Sequence, residues 1–209
     1  MSVLRETGPR RRNGRTLDAG GTRPHSSVVL YAPRPSDVVA STAAPAAAQP
    51  AHERVYRTLR GRIMHGEIGP GQALTLRGLA REFEVSMTPA REAVRRLAAE
   101  GALTLSASGR VSTPTLGADR LEELAALRAL LEPELAARAL PRAHMALIDR
   151  LQAINGQVAG AVARRDAPGY IRANLEFHRT LYLRAQAPAM LALTETVWLQ
   201  LGPTMRALY

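Results

Sequence analysis

At 209 residues the chain has room for one or two small domains, and its 46% apolar content is ordinary for a globular protein. Phe83, Phe177 and Trp198 are the only Phe and Trp residues, so the core must come from Leu, Val, Ile and Ala, which suits packed helices better than a sandwich or barrel. The absence of cysteine excludes a disulfide framework, a thiolate metal site and a Cys nucleophile; no run of about 18 apolar residues could cross a membrane; and the net charge of +10, concentrated before residue 116, points to a polyanionic partner.

Residues 1–52 hold Arg10-Arg11-Arg12, Gly20-Gly21, Pro33, Pro35 and a low-complexity run from Ala40 to Ala51, with no sustained period of 3.6 or 2. Such a segment buries too little apolar surface to offset its ordering entropy, so a disordered extension is expected. A start assigned too early, a basic arm that tracks DNA, and an organelle transit peptide are the alternatives; Val28–Ala32 is too short for the apolar region of a signal peptide. All basic residues other than His are Arg, which, beside so much Ala, reads as composition bias.

From Glu53 a patterned domain, 53–115, begins. Val55, Leu59 and Ile63 form one helical stripe, ended by His65-Gly66 and then Gly69-Pro70-Gly71. Leu76, Leu79, Ala80 and Phe83 mark a short second helix, and Glu84-Val85-Ser86 a tight connection. Thr88 offers an N-cap oxygen with Pro89 at the first helical position; Ala90, Val94 and Leu97 face inward, and Gly101 supplies the left-handed terminus. Leu103–Ser106 and Arg110–Thr113 alternate around Ser108-Gly109 as a hairpin.

Helix, helix, turn, helix and hairpin is the winged helix-turn-helix order, whose third helix enters the major groove of duplex DNA by its N-terminal end. Ser86, Thr88 and Arg91 are the polar residues there, Arg77 would lie along the backbone or groove edge, and Gly109 and Arg110 at the hairpin tip would approach the minor groove or flanking phosphates. Met87 reads equally as partial packing or as a contact to a thymine methyl. Any one of these arginines alone would pass for a solvated helix face; their joint placement makes the case for DNA.

Residues 116–209 read as an all-α bundle. Leu121, Leu124, Leu127, Leu131, Leu135 and Leu140 predict one long helix; Leu147, Leu151, Ile154 and Val158 predict a second, closed by Pro168-Gly169. Tyr170 to Tyr182 form a third, and Pro188 starts a fourth that carries Trp198 and ends before Gly202-Pro203. In the third, Asn174 and His178 share a face, with Arg128 a candidate to face them; a core histidine and a binding site remain the two readings.

The string Val85-Ser86-Met87-Thr88-Pro89-Ala90-Arg91-Glu92-Ala93-Val94-Arg95-Arg96-Leu97, with Leu79-Ala80, Glu100-Gly101 and Ile63–Ile68, resembles the DNA-binding domain of the GntR regulators. The resemblance implies DNA contacts from Arg77, Ser86, Thr88, Arg91 and Gly109; many members have Arg where Met87 stands. Arg128 and Glu132 followed by Ala136-Ala137, and Asn174 with Phe177-His178, resemble the helical FCD effector domain of the FadR-type branch. There the positions of Asn174, often Asp, and His178 are metal ligands, two later helices add histidines, and metal with an organic acid alters DNA affinity. Since the sequence ends at Tyr209, the expectation is an incomplete effector site, with a divalent metal such as Zn held only if further helices complete the ligand set.

The expected protein is thus a cytoplasmic, homodimeric transcription regulator, a repressor of a metabolic operon that reads an inverted repeat in double-stranded DNA and answers to a small carboxylate. The alternative is an effector-blind fragment with weak or non-specific DNA binding. No Ser/His/Asp set, phosphate loop or paired-carboxylate motif suggests an enzyme.

Overall fold

The computed structural model describes residues 49–106 and 109–208; the expected N-terminal extension through residue 48, Ala107 and Ser108 of the expected hairpin, and Tyr209 lie outside the described residues. Helix α1 (Ala51–Met64) buries Val55, Leu59 and Ile63 completely, as its stripe requires. It starts at Ala51, two residues before the expected Glu53, behind Pro50. It ends at His65, and Gly66 turns the chain with φ +69.

Strand β1 (Ala73–Leu74) leads into α2 (Leu76–Glu82), whose N-cap Thr75 accepts a bond from the Gly78 N–H at 3.0 Å. After a turn in which Glu84 takes φ 53, α3 runs Met87–Ala99. Its N-cap is Ser86 rather than Thr88, so Pro89 is the third helical residue and not the first. That position is equally tolerant of proline, because no N–H of the first turn has an intrahelical acceptor.

Gly101 takes φ +73 as expected, and strands β2 (Thr104–Leu105) and β3 (Val111–Ser112) form the wing. The wing is not a lone hairpin: β3 sits between β1 and β2 in an antiparallel sheet, with Ser112 opposite both Ala73 and Thr104. Two-residue β1 is too short for its alternation to show in sequence. Thr113, fully buried, clamps the sheet to the preceding turn: its hydroxyl donates to the Gly69 carbonyl at 2.6 Å and accepts from the Gln72 N–H at 3.0 Å.

Four helices follow: α4 (Ala118–Ala139), α5 (Met145–Ala163), α6 (Ala167–Tyr182) and α7 (Pro188–Leu208). In α4 the buried positions are Leu124, Leu135 and Ala139, whereas Leu127 and Leu140 of the expected stripe are exposed: at about 100° per residue Leu127 lies about 60° to one side of Leu124, and Leu140, in the 3-10 turn that follows the helix, lies about 160° from it. Pro168-Gly169 does not close α5 but opens α6, where Asp166 caps the Gly169 N–H at 2.9 Å. His144 caps α5, its Nδ1 accepting from the Leu147 N–H at 3.3 Å.

Helix α7 also runs past the expected stop at Gly202-Pro203. The reason lies in packing: Leu201, Gly202 and Pro203 are buried, and a Cβ on Gly202 would fall 2.3 Å from the Ile63 carbonyl oxygen of α1. The glycine is there for a close helix approach, not as a terminator. One continuous hydrophobic core joins α1 and α3 (Leu59, Ile63, Val94, Leu97) to α4, α6 and α7 (Leu135, Tyr182, Trp198, Leu199).

Candidate nucleic-acid interface and a part-buried polar network

The first half of the described chain divides its arginines into two groups. In α1 and at the end of α3 they are matched by carboxylates: Arg57 and Arg96 bind Glu53 at 2.6 and 2.9 Å, Arg60 binds Glu100 at 3.2 Å, and Arg62 binds Glu82 at 2.6 Å. Arg54 reaches the Phe83 carbonyl at 3.4 Å, and Arg96 also lies 3.6 Å over the Tyr56 ring. Arg77, Arg81, Arg91, Arg95 and Arg110 form no side-chain hydrogen bond or ion pair among the described residues, and all five are exposed.

These five share one surface. Arg77, Arg81, Met87, Gly109 and Arg110 line a groove between α2, the start of α3 and the wing, and Met87, Thr88, Arg91 and Arg95 line a second that shares Met87. Ser86 stands exposed at the head of α3, with its hydroxyl making no cap bond. Of the residues expected on this face, Arg77, Met87, Thr88, Arg91, Gly109 and Arg110 line the two grooves, and Ser86 precedes Met87 without lining either. Met87, 37% exposed, lines both grooves and is still largely covered, so partial packing and an outward apolar edge both describe it. At the tip, Gly109 takes φ +78 and has open space around it, so the wing can approach another surface closely.

Electrostatically, five guanidiniums without partners among the described residues, in grooves whose lining includes one carboxylate, Glu92, leave a positive face. Sequence reasoning missed Arg81 and Arg95. Their helical positions, four residues from Arg77 and Arg91, were visible; the long-range pairing that removes Arg60, Arg62 and Arg96 from contention was not.

The second constellation lies among α4, α6 and α7. Arg128 and Asn174 line one small cavity with Met64, Tyr170, Trp198 and Met205; at about 20 Å³ it has room for roughly one water. His178 is one turn further along α6 and joins through a chain of bonds of which the sequence reading held only the one-turn spacing of Arg128 and Glu132. Arg128 pairs with Glu132; the Glu132 carboxylate accepts from Trp198 Nε1 at 3.1 Å and from the Tyr182 hydroxyl at 3.0 Å; and the Tyr182 oxygen lies 3.2 Å from His178 Nδ1.

Because the Tyr182 proton goes to a carboxylate that cannot donate, Nδ1 of His178 carries the hydrogen and Nε2 the free lone pair. Burial of the imidazole holds its pKa below the ordinary histidine value. Burial pushes the Glu132 carboxyl up, but the bonds from Arg128, Trp198 and Tyr182 outweigh it and keep it below the usual range. Burial and the adjacent carboxylate raise Tyr182.

This donor set does not fit a metal ion. His178 offers one lone pair, Asn174 a neutral carbonyl, and both Glu132 oxygens are engaged; among the described residues no group of three His, Cys, Asp or Glu is close enough to share an ion. The spacings 128/132 and 178/182 are the signal that could have revealed the network, since each pair is one helical turn apart.

Comparison with known proteins agrees with this layout. Residues 51–111 match the family described as bacterial regulatory proteins, gntR family, and residues 123–209 match the FCD domain. The chain is 28% identical over 156 residues to the HTH-type transcriptional regulator McbR of Escherichia coli, covering 75% of this chain and 71% of that one. It is 30% identical over 154 residues to the gluconate operon transcriptional repressor of Bacillus subtilis, covering 74% of this chain but only 61% of the repressor's length. The solved structure of E. coli McbR/YncC superposes with a TM-score of 0.73 at 27% identity, over 77% of this chain and 76% of that one.

Proposed function

The chain belongs to the GntR family of bacterial transcription regulators, in the branch whose DNA-binding domain is followed by an FCD domain, and from that premise we propose that it represses an operon by binding an inverted-repeat operator as a homodimer. The family and the relatives are regulators, not enzymes. The observation that carries the proposal is the clustering of five unpaired arginines around the head of α3 and the wing.

In this reading α3 lies in the major groove. Arg91 forks onto a guanine edge, Ser86 and Thr88 bond bases or phosphates, and Met87 meets a thymine methyl. Arg77, Arg81 and Arg95 neutralise phosphates, and Gly109-Arg110 places the wing tip at the adjacent minor groove. Helix α3 packs on α1 through the fully buried Ala90 and Leu97, so its head is presented on a fixed scaffold. The gluconate operon repressor among the relatives supports a small organic acid as the class of effector; Arg128 becomes its charge partner only if the one-water cavity opens and Arg128 leaves Glu132.

A gel-shift titration of the duplex upstream of its own gene tests this. The expected result is saturable binding to a palindrome in that duplex, which Arg91→Ala weakens by about 1–3 kcal/mol, roughly fivefold to 150-fold. Binding that ignores sequence, equal for wild type and Arg91→Ala, contradicts it and leaves a non-specific DNA binder.

A further inference from the structure

Gln200 ties α7 to the far end of the DNA-reading helix. Its Nε2 donates to the Glu100 carbonyl at 3.0 Å, and Glu100 is the C-cap of α3. The last carbonyls of a helix have no intrahelical donor, so this bond satisfies one of them from a hundred residues along the chain. The amide's other end is pinned as well: Arg120, in the first turn of α4, donates Nη2 to Gln200 Oε1 at 2.7 Å.

The approach is close. A Cβ on Gly101 would lie 2.9 Å from Gln200 Nε2, so the glycine that ends α3 with a positive φ also makes room for the cap. Around the bond, the side chain of Glu100 collects Tyr56 at 2.6 Å and Arg60 at 3.2 Å. The end of α3 is thus held by α1, α4 and α7 together.

The neighbours of Gln200 on α7 face elsewhere. Trp198 donates into the Glu132 network, Leu199 is fully buried in the core that contains Leu97 of α3, and Gly202 abuts the carbonyls of Ile63 and Met64. One helix therefore touches the Glu132 network with one face and the end of α3 with another. A shift of α7 at Trp198 moves Gln200 with it.

We propose that Gln200 is a positioning residue for DNA reading: it fixes the C-terminal end of α3, and with it the angle at which Arg91 meets the duplex, and it passes displacements of the Trp198–Glu132 contact to that helix. This rests on the proposal that α3 reads DNA. Arg91 lies nine residues before Glu100, about 13 Å along the helix, so a tilt about the buried middle of α3 swings its head.

The test uses the full chain and two readouts. In Gln200→Met, which keeps size but loses the donor, amide hydrogen exchange at residues 100–102 speeds up, and the affinity for the upstream duplex falls about threefold to tenfold, the size of one neutral hydrogen bond. Arg120→Ala, which frees only the orientation of the amide, moves both in the same direction by less, and stands in for Gln200→Met if that variant does not fold.

A double-mutant cycle then separates relay from local support. Glu132→Gln changes duplex affinity in the wild-type background, and that change is lost when Gln200 is Met. Additive effects, no effect of Glu132→Gln, or unaltered exchange at 100–102 each overturn the proposal. If the wild-type chain binds no duplex at all, the functional reading fails, and with it the DNA-reading role, while the exchange result still decides whether α7 caps α3.

Discussion

Gly202→Ala probes the seam between α1 and α7 more sharply than any other single substitution. The added Cβ would sit 2.3 Å from the Ile63 carbonyl oxygen and 2.7 Å from that of Met64; real Cβ contacts essentially never fall under 3.0 Å, so the helices must separate by about 0.7 Å. The obstacles are backbone atoms of the last turn of α1, which cannot rotate aside as a side chain would. Overpacking of this kind costs about 1–3 kcal/mol, and the rigid obstacle places it near the upper end. Alanine returns roughly 1 kcal/mol through its better helix propensity. The net is a loss of about 2 kcal/mol, which at 2–4 °C per kcal/mol for a protein of this size lowers Tm by about 4–8 °C. The single tryptophan, Trp198, is buried in the affected core and gives a fluorescence probe of the transition alongside circular dichroism. An unchanged or raised Tm would mean that propensity alone acts at this position, and that α1 and α7 are not in contact there.

Other substitutions read other parts of the structure. Thr75→Ala removes the cap bond at the head of α2 and is expected to cost about 1 kcal/mol, a drop in Tm of about 2–4 °C. Leu59→Ala, at a fully buried position in the shared core, is expected to cost about 2–5 kcal/mol by denaturant unfolding. For Glu132 the folded-state pKa is depressed, so its stabilisation is complete above the unfolded value of about 4.3 and is lost as pH falls through the folded value. Wild type should therefore exceed Glu132→Gln in stability at pH 7, and the gap should narrow as the pH falls below about 4.3; a gap that is constant from pH 7 to about pH 3 would contradict the assigned network.

The two halves of the chain were unequally legible. The stripe Val55, Leu59, Ile63 and the turn from Phe83 to Ser86 are local patterns, and the structure reproduces them, together with the helical class and the winged order. What the sequence misplaced depends on contacts between distant segments. Gly202-Pro203 looks like a helix stop until α1 is seen against it, and β1 is visible only as a partner of β3. Likewise the face bearing Arg77, Thr88, Arg91 and Arg110 follows from helical position and the hairpin turn, whereas the distinction between a paired Arg62 and an unpaired Arg81 depends on where Glu82 and its neighbours come to rest. The network of Glu132, Tyr182 and Trp198 was hidden for the same reason: its bonds join three helices.

The division of the arginines is the centre of the account, and the salt dependence of DNA affinity tests it most directly. Each phosphate contact contributes about 0.9 to the slope of log affinity against log salt. Arg81→Ala and Arg95→Ala should each flatten that slope by about one contact, while Arg57→Ala and Arg62→Ala, whose guanidiniums are held by Glu53 and Glu82, should leave it unchanged. Equal flattening by both pairs, or a wild-type slope near zero, would contradict the assignment of this face to the phosphate backbone.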